Sequence, residues 1–315
     1  MFELRLFGTG QARYDDRLLG GFPQQQCYLL FCYLLLNRHH IHHRDRVAAV
    51  FWGDYSSCAA RKYLRNELWR LRHYLQRAGV PAHDYLSISE DNLSFCAHGS
   101  YWLDVDVFET TIAHSLGIPL DDWTPDQVCE LRAAVDLYIG DLLEGIDADW
   151  CLIERERFSL MHLNALAKLM ALHERSGDFE LGLAYGEQML AHDDTREKVH
   201  RQMMRLYWRM GDRDGALEQY RRCEQILRET LGVAPVDETR SLYEEILAYQ
   251  APPPLRISSR RAAPELSDCS AEDGEASPQQ VLHRIQHLQQ IVDEVSVELS
   301  QVEQLVKMAW RKPAQ

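Results

Sequence analysis

The fold of the chain is decided by residues 57–77, which read SCAARKYLRNELWRLRHYLQR. Within this stretch Leu64, Leu68, Leu71 and Leu75 follow the spacing of one face of an α-helix. We therefore expect a helix that buries its leucine face in a hydrophobic core. The opposite face is polar, includes several basic side chains, and carries the candidate functional residues.

Strands and helices are expected upstream of this helix. Phe2, Leu4 and Leu6 alternate with charged residues, which is typical of a half-buried strand, and glycines then separate further short strands. Helices are predicted at residues 23–37 and 44–52. The residues expected to face inward in the second of these helices are Val47, Val50 and Phe51.

A hairpin is expected downstream. Residues 85–89 and 93–95 have strand character and flank the sequence Glu90-Asp91-Asn92, which favours a turn. A small sheet, three helices and a terminal hairpin are the elements of a winged helix-turn-helix. We assign residues 1–99 to that domain.

The outer face of the third helix suits contact with DNA. Arg can bind guanine bidentately, Asn can pair with adenine, and Lys and Arg neutralise phosphates. On an isolated helix these residues would equally suit a solvated basic face, but the order of the surrounding elements favours base reading. The residues expected to contact DNA are Lys62, Arg65, Asn66, Trp69, Arg70 and His73, together with Arg61 and, from the preceding helix, Arg44.

The middle of the chain has a repeat. Gly177-Asp178 and Gly211-Asp212 are separated by 34 residues, the tetratricopeptide period, and each pair lies between predicted helices. Such helix pairs bury their apolar faces only by stacking on one another. We assign residues 100–250 to a helical repeat domain, so the fold class is mainly α with a small β component.

The C-terminal part differs in composition. Residues 251–279 are rich in Pro, Ser and acidic residues and are expected to form a linker, and residues 280–311 show a 3.5-residue apolar period that predicts a coiled coil. The alternative is an amphipathic helix packed on the repeats. The residues expected to form a homodimer interface are Ile285, Leu288, Val292, Val295, Leu299, Val302 and Val306.

Composition and charge limit the possible functions. The 315 residues carry a net charge of −14, but residues 1–100 hold 12 Lys and Arg against 9 Asp and Glu, whereas the remainder holds 22 against 39. A small basic module therefore precedes an acidic body. The eight cysteines lack metal-ligand spacing and no apolar run approaches the roughly 20 residues of a membrane span. We expect a cytoplasmic protein without membrane contact.

No motif indicates catalysis. The sequence lacks a P-loop, a GxSxG and an HExxH, so neither an enzyme nor a cofactor is predicted. Residues 39–43, which read HHIHH, could bind a metal, but a polar turn is the simpler interpretation and no metal is predicted. A basic stripe could bind an effector or an acidic partner, or could be a solvated face. It consists of Lys198, Arg201, Arg205 and Arg209.

Several separated motifs resemble one family of bacterial regulators. Residues 1–99 resemble an OmpR-type winged helix, and the sequences YWLDVDVFE (101–109) and DWCLIERER (149–157) resemble the bacterial transcriptional activator domain. Together they resemble the SARP-type regulators. The supporting motifs are FWGD (51–54), ARKYLRNELWRLR (60–72), LGVAP (231–235) and ETR (238–240).

The resemblance covers residues 1 to about 250 and implies an activator that binds promoter DNA and contacts RNA polymerase. The sequence departs from the family pattern at Gln24-Gln25-Gln26, where basic residues are usual, and at Glu67 and Trp69 in the third helix. The expected wing tip is acidic, with Glu90 and Asp91. The acidic wing tip and the glutamine run motivate a second hypothesis, a protein-interaction scaffold that does not bind DNA.

The coiled-coil prediction is tested by replacing Val292 and Leu299 with Asp in the full chain. Two charges in the apolar seam should dissociate a dimer because neither carboxylate would find a partner there. The mass measured by light scattering should fall by half. An unchanged mass would show that the heptads do not hold the molecule together.

Overall fold

The strand predicted at the N-terminus lies inside a sheet. The computed structural model describes residues 1–22, 24–96 and 98–248. In it β1 (Phe2–Arg5) pairs antiparallel with β2 (Gln11–Tyr14), which pairs antiparallel with β3 (Arg17–Leu18). Phe2 and Leu4 are 0% and 1% exposed, so the predicted alternation is confirmed.

Three helices follow in the predicted order. They are α1 (Gln25–Leu36), α2 (Arg44–Trp52) and α3 (Ser57–Arg77). Helix α1 is apolar on nearly every side because the other elements enclose it. In α2 the prediction is wrong for Val50, which is 42% exposed, because Trp52 completes the buried face instead.

A three-stranded sheet carries the predicted hairpin. After α3, a short helix that was not predicted, α4 (Ala82–Tyr85), leads into the hairpin. Strand β4 (His42–His43), from the start of α2, pairs with β6 (Asn92–Phe95), and β6 pairs with β5 (Leu86–Ile88). We refer to β5, β6 and the turn between them as the wing.

One carboxylate fastens the N-terminal elements to the helices that follow. Strand β7 (Tyr101–Leu103) lies parallel to β1 and leads directly into α5 (Asp104–Leu116). Asp104 is 2% exposed, and its carboxylate accepts hydrogen bonds from the backbone N–H groups of Leu6 at 2.8 Å and Phe7 at 3.0 Å. Burial raises the pKa of Asp104 above its usual range, and these hydrogen bonds partly offset that effect.

Ion pairs reinforce this junction. The guanidinium of Arg38, in the loop after α1, donates to Asp106 at 2.5 Å and to Glu109 at 3.1 Å, both on α5. Arg157 donates to Glu109 at 2.7 Å. Burial raises the pKa of Glu109, but the ion pairs with Arg157 and Arg38 outweigh it, so the pKa lies below its usual range. Residues from the loop after α1, from α5 and from the helix that contains Arg157 thus share one charged cluster.

The acidic body consists of stacked helices. Gly177 and Gly211 lie in turns between consecutive helices, as the 34-residue period predicts, and both have a left-handed backbone with φ of +82° and +84°. A π-helical turn at Leu227–Leu231 extends one helix, and Gly232 ends it. The remaining helices are α6 (Pro125–Asp136), α7 (Asp149–Ser176), α8 (Phe179–His192), α9 (Glu197–Arg209), α10 (Arg213–Ile226) and α11 (Asp237–Ala248).

The hydrophobic core is continuous from the N-terminal sheet to α9, and a smaller cluster lies among α9, α10 and α11. The predicted border between residues 99 and 100 therefore lies within one continuous core. Across the described ranges, no helix has both the length and the apolarity needed to cross a membrane. The predicted linker at 251–279 and coiled coil at 280–311 lie outside the described residues.

Gly177→Ala tests the turn between α7 and α8. No atom would obstruct the new methyl group, so the change isolates the left-handed backbone, which should destabilise the protein by about 1 kcal/mol. Gly117→Ala is the matched control, because Gly117 ends α5 with a right-handed backbone (φ −78°) and a methyl group there would meet only the His114 carbonyl oxygen, at an ordinary contact distance of 3.9 Å. Urea unfolding measures both variants. Equal free energies of unfolding for the two variants would contradict the left-handed backbone assigned to Gly177.

His162 makes stability depend on pH. Its ring stacks on Tyr138 with centroids 4.2 Å apart, and burial lowers its pKa to about 4. Below pH of about 6.5 the unfolded chain binds a proton that the folded chain does not, so the free energy of unfolding falls as the pH falls toward 4.

His162→Phe keeps an aromatic ring against Tyr138 and removes this titration. Between pH 7.5 and 5.5 the native protein should lose about 1 kcal/mol more stability than the variant, as measured by urea unfolding at both values. His39→Phe, at an exposed position, should leave the difference unchanged. Equal losses in the native protein and in His162→Phe would contradict the assignment.

Candidate nucleic-acid interface

Helix α3 is held by its inner face. The four leucines of the predicted stripe are at most 3% exposed, which confirms that this face lies in the core. The helix begins at a capped N-terminus, where the Ser56 hydroxyl accepts a hydrogen bond from the Ala59 N–H at 3.4 Å. The outer face is thereby presented to solvent from a fixed position.

Four predicted residues form one exposed column along α3. Lys62, Asn66, Trp69 and His73 follow the spacings 4, 3 and 4, the same as those of the buried leucines, and all four are exposed. The rings of Trp69 and His73 stack nearly parallel, with centroids 5.3 Å apart and an interplanar angle of 5°. The column therefore presents polar donors toward the start of the helix and an aromatic plate toward its end.

Arginines flank the column on the side of the wing. Arg65 and Arg72 are exposed and lie two helical turns apart, and with Arg44, Trp69, His73 and Ile88 they help to line a groove of about 490 Å³ between α3 and the wing. Among the residues that the structure describes, this lining contains no carboxylate. Sequence reasoning missed Arg72, although its seven-residue spacing from Arg65 places both side chains on one edge.

Arg70 has a second role. Its guanidinium contacts the carboxylate of Glu67, which is only 6% exposed, and donates to the Gln24 side chain at 2.6 Å. A buried carboxylate without its cation is strongly unfavourable. Arg70 thus lies at the edge of the candidate face and also supports the packing of α3 on the preceding elements.

Arg61 and Arg44 also make internal contacts. Arg61 donates two hydrogen bonds to Asp45 of α2, each at 2.5 Å, and these hold the pKa of Asp45 below its usual range. Arg44 donates to the backbone carbonyls of Ser89 at 3.2 Å and Glu90 at 3.3 Å. These two arginines therefore connect α2 with α3 and with the wing.

The wing tip is acidic, as the sequence indicates. Glu90 and Asp91 are both exposed, and the backbone N–H of Arg44 donates to the Asp91 carbonyl at 2.8 Å, which holds the tip beside α2. Carboxylates at this position repel phosphates. The cationic part of the surface is therefore α3 and the groove beside it.

The histidine tract is neither a free loop nor a grouped ligand set. His42 is 7% exposed in β4, and His43 Nδ1 accepts a hydrogen bond at 3.3 Å from the backbone N–H of Asp45 at the start of α2. Within the residues that the structure describes, no three His, Cys, Asp or Glu side chains are grouped to hold a metal ion. The tract pairs with the wing and begins a helix.

The four residues of the basic stripe on α9 have two different environments. Arg201 donates to the Thr239 hydroxyl at 2.8 Å, and Arg209 pairs with Glu174 at 2.6 Å, so these two residues connect α9 with α11 and α7. Lys198 and Arg205 are exposed to solvent. Half of the predicted stripe therefore contributes to packing between helices.

A winged helix with a basic outer face, fixed to a stack of helical repeats, is the architecture of a bacterial transcriptional regulator. The bacterial transcriptional activator domain matches residues 103–247. The chain is 24% identical over 247 residues to the transcriptional regulatory protein MoaR1 of Mycobacterium tuberculosis, covering 78% of this chain and 76% of MoaR1, and equally similar to MoaR1 of Mycobacterium bovis.

A solved structure shares the fold. Mycobacterium tuberculosis EmbR, determined in complex with a low-affinity phosphopeptide, aligns with a TM-score of 0.66 and 21% identity, covering 82% of this chain and 67% of EmbR. The domain match, the relatives and this fold together support the resemblance to the SARP-type regulators. The resemblance inferred from the sequence motifs is confirmed.

Proposed function

We propose that this regulator binds promoter DNA sequence-specifically, with α3 in the major groove, and activates transcription through contact with RNA polymerase in the cytoplasm. The observation that carries the proposal is the exposed column on α3, flanked by Arg65 and Arg72. A major groove accepts one α-helix, and the column supplies side chains that can bind base edges.

Phosphate contacts would come from the cationic groove beside α3. Arg65, Arg72 and Arg44 line it, and within the described part of the chain no acidic side chain lies among its lining residues. Such contacts fix the register of a protein on the duplex, whereas base contacts supply specificity. Asn66 in the column is the candidate for reading adenine, and Lys62 lies one turn nearer the start of the helix.

The polymerase contact rests on the domain match. The bacterial transcriptional activator domain covers α5 to α11 almost completely. Because the junction at Asp104 and the Arg38 network join these helices to the winged helix, their surface has a fixed position relative to α3. A bound operator would thus orient the repeats toward a neighbouring polymerase or effector.

The acidic wing favours one alternative, a protein-interaction scaffold without DNA affinity. Glu90 and Asp91 would weaken binding to a minor groove. Selection of bound sites from a random duplex library, followed by salt titration of the enriched site and a scrambled one, separates the two functions. A regulator should enrich one motif, whereas folded protein that enriches none at low salt would favour the scaffold.

Two variants test the assigned face. Asn66→Ala should weaken binding to the enriched site by about 1–3 kcal/mol and relax specificity at one base pair. Arg72→Ala should weaken binding to all sequences and reduce the salt slope by about 1. Electrophoretic mobility shifts at several salt concentrations measure both effects.

The matched control is Arg221→Ala on α10. Arg221 is exposed and pairs only locally with Glu218 at 3.0 Å, so its loss removes the same charge without altering α3. It should leave affinity and salt slope unchanged. If Asn66→Ala and Arg72→Ala bind like the control, the exposed face of α3 is not the DNA-binding surface.

A further inference from the structure

Trp69 is an unusual residue for the outer face of a basic helix. Its side chain is 66% exposed, and cationic side chains lie on both sides of it along the same surface. A large apolar ring in water is unfavourable by about 25 cal/mol for each Å² of apolar surface, so a partner that covers it gains binding energy. The lining of the groove beside the wing includes this ring.

The stack with His73 gives the ring a defined orientation. The two ring centroids lie 5.3 Å apart, the rings are only 5° from parallel, and the two residues are four positions apart on the helix. The plate that results is flat and fixed at its inner end to the backbone of α3. It offers no carbonyl or carboxylate to a base edge, and the faces of its indole ring are apolar.

The plate begins at Trp69, three residues after Asn66 on α3. Three residues along a helix correspond to a rise of about 4.5 Å, close to the 3.4 Å between successive bases in DNA. If Asn66 reads an adenine, the plate meets the next base step. The apolar group that B-DNA presents in its major groove is the C5-methyl of thymine.

We propose that the Trp69–His73 plate reads a thymine methyl group beside the base pair contacted by Asn66. This inference rests on the proposed DNA binding and specifies what the recognition helix selects, namely a step that contains a 5-methylpyrimidine. Trp69 is then a specificity-determining residue that acts through apolar contact, whereas Asn66 and Lys62 of the column act through hydrogen bonds and charge.

The test replaces each thymine of the enriched site with deoxyuridine, which removes the methyl and keeps base pairing. Burial of one methyl group corresponds to about fourfold in affinity. The native protein should lose about three- to fivefold at one or two positions next to the adenine read by Asn66. The same replacement should not change the affinity of the Trp69→Ala variant for the site.

Two further variants refine the assignment. Trp69→Phe keeps an aromatic face and should retain part of the sensitivity to the methyl, and His73→Phe keeps the stack and should retain all of it. Arg221→Ala is again the control and should respond to deoxyuridine like the native protein. Because Trp69 is exposed, its variants should melt at the same temperature as the native protein.

The outcomes are distinct. An enriched site that binds equally well with deoxyuridine at every thymine overturns the methyl reading while leaving DNA binding intact. Sensitivity that persists in Trp69→Ala shows that another residue contacts the methyl and also overturns it. Failure of the native protein to bind any duplex removes the proposed function itself, and this inference with it.

Discussion

The structure depends on the placement of one buried carboxylate. Asp104 directly follows β7 and begins α5, and it accepts hydrogen bonds from the N–H groups of Leu6 and Phe7, which follow β1. Burying the charge is unfavourable, as the raised pKa of Asp104 indicates, and charge-assisted hydrogen bonds of about 1.5–3 kcal/mol each offset that penalty. The chain therefore uses an acidic residue of the repeat domain to complete the hydrogen bonding of its N-terminal sheet.

Packing around this point makes the winged helix and the first repeats a single mechanical unit. Phe7 lies against Phe108 and Phe158, with ring centroids 5.0 and 5.5 Å apart, and Arg38 pairs with α5 on the other side of the junction. Aromatic contacts and buried ion pairs resist small displacements because both require close fit. A molecule that bound the repeats would act on a body to which α3 is already fixed.

The local periodicity of the sequence predicted helices, strands and turns. The features that it did not predict depend on contacts between residues far apart in the sequence. The bounds of α2 and α3 match the structure because each combines an apolar stripe with a capped start, and the glycines at 177 and 211 mark real turns. The pairing of β1 with β7 joins residues almost a hundred positions apart, so no local sequence pattern predicts it. The same limit applies to the site: the spacing placed Trp69 on the outer face, but only the fold shows that Arg70 also contacts buried Glu67.

The parallel strand β7 also limits how this protein can be divided. It contributes an outer strand to the N-terminal sheet although it lies beyond the wing in sequence, and Asp104 follows it immediately. A fragment that stopped at residue 99 would expose an edge of the sheet and leave the amides of Leu6 and Phe7 without their acceptor. A chimera that transfers the winged helix to another regulator should therefore carry β7 and α5 with it, so the natural unit of exchange is longer than the winged helix.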